Sequence, residues 1–357
     1  MESKILALNF GSTSSKIAYF EGEQMILKET LEHSGEELQK FPDFWSQQEY
    51  RTKAINQFLE DHGIDGKSID LFACWGGHCR PVTGGIYRIT DEFLKQVRSG
   101  VYGNHPCDIA PFVAAGMAGK GKPAVSIDPP TIDEFSTLAR YTGIPEIKRK
   151  SRMQTLNQKA IAKKYAADHG KAYEDCNLIV VHMGGGISVV VHENGQMVDA
   201  NNGLDGDGPF AVNRAGTVPA GDLVDLCFDS GLSKQEIKRK ITGQAGIVAY
   251  LGENDVRTVE KRISMGDEKA KEVYDAMLYQ VAKQIGASAA VTCGKVDAIL
   301  LTGGIAHSDY VKRELERRVG FLAPICAYPG ELEMQSLGAE ALRALRDPSV
   351  IKEVPSV

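Results

Sequence analysis

The stretch LNFGSTSSK, residues 8–16, gathers the residue types that hold phosphate. Four consecutive hydroxyls, Ser12 to Ser15, crowd donors around one point, and Lys16 follows with an ammonium group. Backbone N–H groups and hydroxyls wrap phosphate oxygens while a lysine supplies a point charge. Gly11 is read as the residue that takes the positive φ of a tight turn. Short apolar runs at 5–8 and 17–20 flank the stretch, so it reads as strand, turn, strand. It does not match GxxxxGK[ST] and no helical pattern follows, which argues against a P-loop. On this stretch alone, an ordinary Ser-rich hairpin turn is the competing reading.

Two further glycine turns repeat the theme. Residues 178–191, LIVVHMGGGISVVV, again read as buried strand, Gly-rich turn and buried strand. Residues 296–301 form an apolar run that leads into Thr302, Gly303, Gly304 and Ile305, followed by a basic helix at 308–318. Strand, glycine pair and helix place backbone amides and a positive helix end at a ligand. The loop NNGLDGDGPFAVNRAG, 201–216, carries Arg214 and is expected beside the second hairpin. Three such turns suit a nucleotide. Asp128 closes a short strand at 123–128, just before Pro129 and Pro130, at the strand end where α/β folds place ligands.

The elements that must position these groups can be read from periodicity and caps. Helices are expected at 50–62 with Gly63 as C-cap, at 90–98 with Thr90 as N-cap, and at 109–118, 133–141, 153–165, 233–240 and 266–290. A strand at 69–73 runs into Gly76 and Gly77, with Gly84 and Gly85 beyond, where backbone is expected to approach something closely. The hairpin plan recurs at the start of each half, which suggests a duplicated fold with domains at 1–150 and 151–336.

Composition sets the outer limits. A chain of 357 residues, 43% hydrophobic and 25% charged, is long enough for two cores, and a net charge of -6 argues against nucleic-acid or anionic-membrane partners. No signal peptide or spanning segment is expected, and seven scattered cysteines show no disulfide framework, so a cytoplasmic protein is expected. Cys74, His78, Cys79, His105 and Cys107 lack the paired knuckles of a zinc site and are read as reduced, partly buried thiols and structural histidines. The basic run KRKSR at 148–152 is read as a solvated face near a domain crossing.

LNFGSTSSK and VHMGGGIS, with TLNQKA, VDANNGLDGDGPF, VAYLGEND, DAMLYQVAKQIGA, DAILLTGGIA and YPGELEMQSLGAEALR, resemble the acetate and butyrate kinase family over nearly the whole chain. The resemblance implies an α/β fold: the two-domain acetate and sugar kinase/Hsc70/actin-like architecture of duplicated ribonuclease H-like domains, with the active site in the interdomain cleft. Residues 1–150 would form the N-terminal domain, 151–336 the nucleotide-binding one, and a C-terminal helix within 337–357 would pack back on the first. The implied reaction is reversible transfer of the ATP γ-phosphate to a short-chain fatty acid, butyrate or a branched four- or five-carbon acid, to give an acyl phosphate. ATP/ADP, Mg²⁺ and a homodimer come with it. A carboxylate acceptor is already ionised, so no general base is required and positioning dominates. A nucleotide-binding relative with impaired or altered catalysis is one alternative. Another is a sugar kinase, which would want Asp128 or Asp207 as base.

The resemblance also implies roles. Asn9 and Glu333, with Glu331 as the alternative, would hold Mg²⁺ mostly through water. Ser12, Ser14 and Lys16 would face the transferring phosphate. His182 and Arg214 would stabilise its charge, and Asp128 would orient Arg214 or a metal-bound water. Gly184, Gly185 and Gly186 would approach the β-phosphate, and Gly303, Gly304 and Ile305 the adenosine. His105 matches an H-x-x-N stretch whose fourth position is here Asp108. Trp75 stands where the family carries an arginine before Gly76-Gly77, so Trp75 and Arg80 are the expected substrate-pocket residues, Arg80 as a possible replacement charge.

Overall fold

The computed structural model describes residues 2–356. The chain divides into two compact units, Met1–Asp133 with Thr155–Ala160 and Leu332–Val357, and Glu134–Gln154 with Ile161–Glu331. The chain therefore leaves the first unit after Asp133 and returns to it twice.

In the first unit β1 (Lys4–Phe10), β2 (Ser14–Glu21) and β3 (Gln24–Glu32) form an antiparallel meander. After α1 (Gly35–Leu38), opened by a Ser34/Glu37 capping box, and α2 (Gln48–Asp61) comes β4 (Leu71–Trp75), parallel to β1. There follow β5 (Ile86–Arg88), α3 (Asp91–Ser99), α4 (Ile109–Ala118) and β6 (Ala124–Ile127). Thr90 caps α3 by accepting from the Phe93 N–H at 3.2 Å.

The second unit holds most of α5 (Thr155–Asp168), then β7 (Leu178–Met183), β8 (Ile187–Glu193) and β9 (Gln196–Ala200), again an antiparallel meander. Its helices are α6 (Ala220–Asp229), α7 (Lys234–Ile241), α8 (Gly246–Leu251), α9 (Val256–Ser264) and α10 (Glu268–Val291). Strand β10 (Ala298–Gly303), helix α11 (Asp309–Val319) and strand β11 (Ile325–Pro329) complete it. The first unit ends with α12 (Glu333–Arg346) and β12 (Ile351–Lys352).

The sheet orders are β12-β5-β6-β4-β1-β2-β3 and β11-β10-β7-β8-β9. Each contains one plan: a three-strand meander whose first strand has a parallel neighbour, itself followed by a further strand. Because both faces of the first sheet are covered, β1 is an unbroken apolar run rather than an alternating one. Leu6 and Leu8 pack with Ile55 and Phe58 of α2 and Val113 of α4, whereas Ile5 and Ala7 pack with Met334, Leu337 and Ala341 of α12. In the second unit Ile179 and Val181 pack against Met277, Leu278, Val281 and Ile285 of α10. Among the described residues no helix is long and apolar enough to cross a membrane.

Four expectations are corrected. Residues 133–141 are not a helix apart from a short turn at Leu138–Arg140. The Ser136 N–H donates to the Val198 carbonyl at 2.9 Å, and Glu134 accepts from the Met197 N–H at 2.8 Å, so the edge strand β9 draws this segment extended. Gly11 does not have positive φ; its small size instead clears the Ser14 hydroxyl, which would lie 3.1 Å from an added Cβ. Arg149 is no solvated head, since it pairs with Asp199 at 2.7 Å and donates to the Ala139 and Ala200 carbonyls. A 3-10 turn, Gly304–His307, begins at the second glycine of the third pair and leads to α11, whose start is capped by Ser308 rather than presented directly at the glycines.

Candidate active site

Strand register places the first cluster. Asn9 is the penultimate residue of β1, and it stands opposite Lys16 on β2 and Trp75 at the end of β4. The amide Nδ2 of Asn9 donates to Glu333 Oε2 at 2.6 Å, and Lys16 Nζ lies 3.5 Å from the same oxygen. Glu333 is the first residue of α12, so the helix that covers the sheet also delivers this carboxylate. An amide and a carboxylate offer oxygen donors of the kind a hard divalent cation takes, alongside water.

The turn between β1 and β2 carries Ser12, which is exposed, with its Oγ 3.5 Å from His105 Nε2. Ser14 accepts from the Gly11 N–H through its carbonyl. The departure at position 108 has a structural use. Fully buried Asp108 accepts from the N–H groups of Gly77, His78 and His105, and its Oδ1 lies 2.8 Å from His78 Nδ1. The carboxylate thereby ties the Gly76-Gly77 loop to the His105 loop. Gly76 admits this approach, since a Cβ there would lie 2.1 Å from the Cys107 carbonyl oxygen. His78, Cys107 and Asp108 stand within metal-ligand reach of one another, but burial pushes the Cys107 thiol well above its ordinary pKa.

Asp128 follows β6 with φ of +44°, an unfavourable conformation for a residue with a side chain. Its Oδ1 accepts from the Gly85 N–H at 2.8 Å, and its carbonyl accepts from Trp75 Nε1 at 3.1 Å and from Thr155 Oγ1 at 3.0 Å. Trp75 is thus fastened at the strand ends beside Asn9. Arg80 is engaged elsewhere: its Nη1 donates to the Ser356 carbonyl at 3.0 Å.

In the second unit His182 lies on β7, opposite Ser188 on β8 and Thr302 on β10. Burial lowers its pKa, with Glu331 acting in the opposite sense, so the imidazole is neutral at pH 7. The Gly184-Gly185-Gly186 turn is closed by the Gly184 N–H donating to the Gly186 carbonyl, and Asn213 N–H donates to the Gly185 carbonyl at 3.2 Å. Arg214 stands against Gly186, as the position of its loop implied. Its Nε donates to Asn213 Oδ1 at 3.0 Å, whereas Nη1 is buried without a hydrogen-bond partner among the described residues. A buried guanidinium donor left unused is costly unless a ligand takes it.

Gly184, Gly185, Gly304 and Ile305 line one cavity of about 650 Å³, a size suited to a small-molecule ligand. Gly303, just before Gly304, has φ of +87°. The rest of the wall includes Asp255, Arg257, Glu260 and His307, none singled out from the sequence. The available signal was the end of VAYLGEND: Gly252 ends α8 in the left-handed conformation and Asp255 caps α9, so a sharp corner between helices falls there.

A family model described as the Acetokinase family matches residues 149–325. The chain is 46% identical over 346 residues to butyrate kinase 2 of Clostridium acetobutylicum, covering 97% of both chains. It is also 46% identical to a probable butyrate kinase of Bacteroides thetaiotaomicron, over 96% of this chain and 97% of that one. Among solved structures, acetate kinase of Porphyromonas gingivalis superposes with a TM-score of 0.81 at 20% identity, over 96% of this chain and all of the other.

Proposed function

The chain belongs to the acetokinase family, and from that premise we propose that it is a carboxylate kinase that moves the γ-phosphate of ATP reversibly to a short-chain fatty acid, forming an acyl phosphate. A carboxylate oxygen forms the new P–O bond as the bond to ADP breaks, and no proton need leave the acceptor. Butyrate, or a branched acid of similar size, is the proposed acceptor, in keeping with the names of the relatives. The observation that carries the phosphate chemistry is the unused, buried Nη1 of Arg214 beside the second glycine turn.

The roles proposed for the site residues are those the family resemblance implies. Gly184, Gly185 and Gly186 take the β-phosphate, and Gly303, Gly304 and Ile305 the adenosine. Arg214 brings permanent charge to the transferring group, and neutral His182 brings an N–H donor. Ser12, Ser14 and Lys16 supply donors for phosphate, with His105 beside Ser12, and Asp128 orients its surroundings from the strand end. Asn9 and Glu333, or Glu331 in its place, would hold Mg²⁺ mostly through water, and that ion would neutralise charge on the phosphates. Trp75 walls the acyl side, where the family has an arginine.

We assign the working form as a cytoplasmic homodimer. Supporting this, α6 has no buried residue, and Phe228 is 83% and Val224 53% exposed. Asp222, Asp225 and Asp229 stud that helix, while α7 ends in Lys238, Arg239 and Lys240, so a second copy related by a two-fold axis can match acid to base.

Hydroxamate trapping tests the activity: protein, Mg-ATP and a series of two- to six-carbon acids, with glucose and glycerol as controls. Acyl hydroxamate from a four- or five-carbon acid, with no ADP release on sugars, is the expected result. Phosphate transfer to a sugar alone, or to no acid by a folded, ATP-binding protein, would overturn it.

A further inference from the structure

Helix α2 places an arginine where its apolar stripe faces the core. Arg51 precedes Ile55 and the Phe58-Leu59 pair at helical spacing, and its accessible surface is 0%. A guanidinium has five N–H donors. Here Nε and Nη2 donate to Gln47 Oε1 at 3.2 and 3.1 Å, and Nη2 also donates to the Ser12 carbonyl at 3.0 Å. Nη1 donates to the Ser14 carbonyl at 2.9 Å and to Ser15 Oγ at 3.1 Å. Every acceptor is neutral, and among the described residues no carboxylate pairs with this cation. Burial draws its pKa down to about 10, which leaves it charged at neutral pH. The Phe10 ring lies beneath it, 5.3 Å from the guanidinium carbon.

Those bonds have a directional consequence. In a trans peptide the carbonyl and the following N–H point opposite ways, and no peptide bond among the described residues is cis. Arg51 holds the Ser12 carbonyl, and the His33 N–H holds the Thr13 carbonyl at 2.7 Å. The Thr13 N–H is thereby turned away from α2, and the Ser14 N–H away from His33. His33 Nε2 lies 2.9 Å from Ser15 Oγ and its Nδ1 3.1 Å from Tyr50 OH, which completes a buried brace under the turn.

We propose that Arg51 is a positioning residue for phosphoryl transfer: it fixes the carbonyls of the Ser12 to Ser15 turn so that its amides face the phosphate, and its unneutralised charge stands behind them. This rests on the reading of that turn as a phosphate site. Burying a charge without an anion is costly, and an arriving phosphoryl group supplies the missing counter-charge from the other side of the turn.

The test runs the reaction backwards with butyryl phosphate and Mg-ADP, using Arg51→Met, Arg51→Lys and Lys16→Ala, each checked by circular dichroism. Arg51→Met should lower kcat/KM for butyryl phosphate about 100-fold, mostly through its KM, while the KM for ADP moves less than about 3-fold. Arg51→Lys keeps the charge without the fork and should lose about 10-fold. If the methionine variant does not fold, the lysine variant decides, and wild-type constants there overturn the proposal. A fall in kcat that tracks the folded fraction, with both KM values unmoved, would reduce Arg51 to a fold-holding residue and overturn it too. Lys16→Ala separates the two layers. Loss there with unchanged Arg51 variants sinks this inference alone, whereas no loss in any of the three sinks the reading of the turn as well.

Discussion

Three histidines near the candidate residues, His33, His105 and His182, are held neutral chiefly by burial, with Arg51 adding to the effect on His33 and His78 to that on His105, where Asp108 opposes it. The unfolded chain takes up protons on these rings near pH 6.5, whereas the folded chain does so only at lower pH. The unfolded state therefore binds more protons in that interval, and stability falls as pH drops below about 6.5. The melting temperature should be lower at pH 5.5 than at pH 7.5, a window that lies above the ordinary carboxylate range; scanning fluorimetry reads it directly, and a flat or rising profile counts against the assignment. At this scale the sequence was informative where a motif concentrates donors, as at Ser12 to Lys16. It was silent where a role depends on depth. Arg51 looks like any helical arginine until its place on the apolar stripe, four residues before Ile55, is set against the strand it covers.

Among the elements, the turns after β7 and β10 are built differently although both are glycine-rich. Gly303 has φ of +87°, and a Cβ there would lie 2.3 Å from the Met183 carbonyl oxygen, so this residue lets the ends of β7 and β10 approach. Gly304 is exposed and a Cβ there would meet nothing within 4 Å. Gly303→Ala should therefore lower the melting temperature by about 5 °C or more through strain, whereas Gly304→Ala should change it by less than about 2 °C while still weakening ATP binding. Equal melting temperatures for the two variants would contradict this geometry. Strands and helices with strong periodicity, such as β7, β8, α4 and α10, were legible because their own apolar pattern determines them. Residues 133–141 were not, since their backbone groups are drawn to β9, a partner some sixty positions away that no local pattern names. The short β5 and β12 likewise exist only through pairing, Ile86 and Tyr87 with Ile351 and Lys352.

For the whole molecule, the duplicated sheet plan was visible in the repeated hairpins, while the route of the chain was not. Nothing in the composition of residues 155–160 marks a return to the first unit. The proposed assembly gives a direct prediction: Phe228→Asp, which adds a fourth acid to the face of α6, should shift the protein from dimer to monomer in light scattering without lowering its melting temperature. A monomeric wild-type protein would overturn the assembly, and an undisturbed dimer would move the contact elsewhere. The divided first unit has a consequence for how the protein is made. Six of the seven strands of its sheet are written by residue 127, but α12, which covers Ile5, Ala7, Ala73 and Ile127, begins only at Glu333. About 200 residues must be translated in between, roughly 10–40 s at ordinary ribosomal rates, during which one apolar face of the nascent sheet stands uncovered. The first domain to leave the ribosome is thus the last to be finished, and for that interval it is a natural client for the chaperones that bind exposed apolar strands.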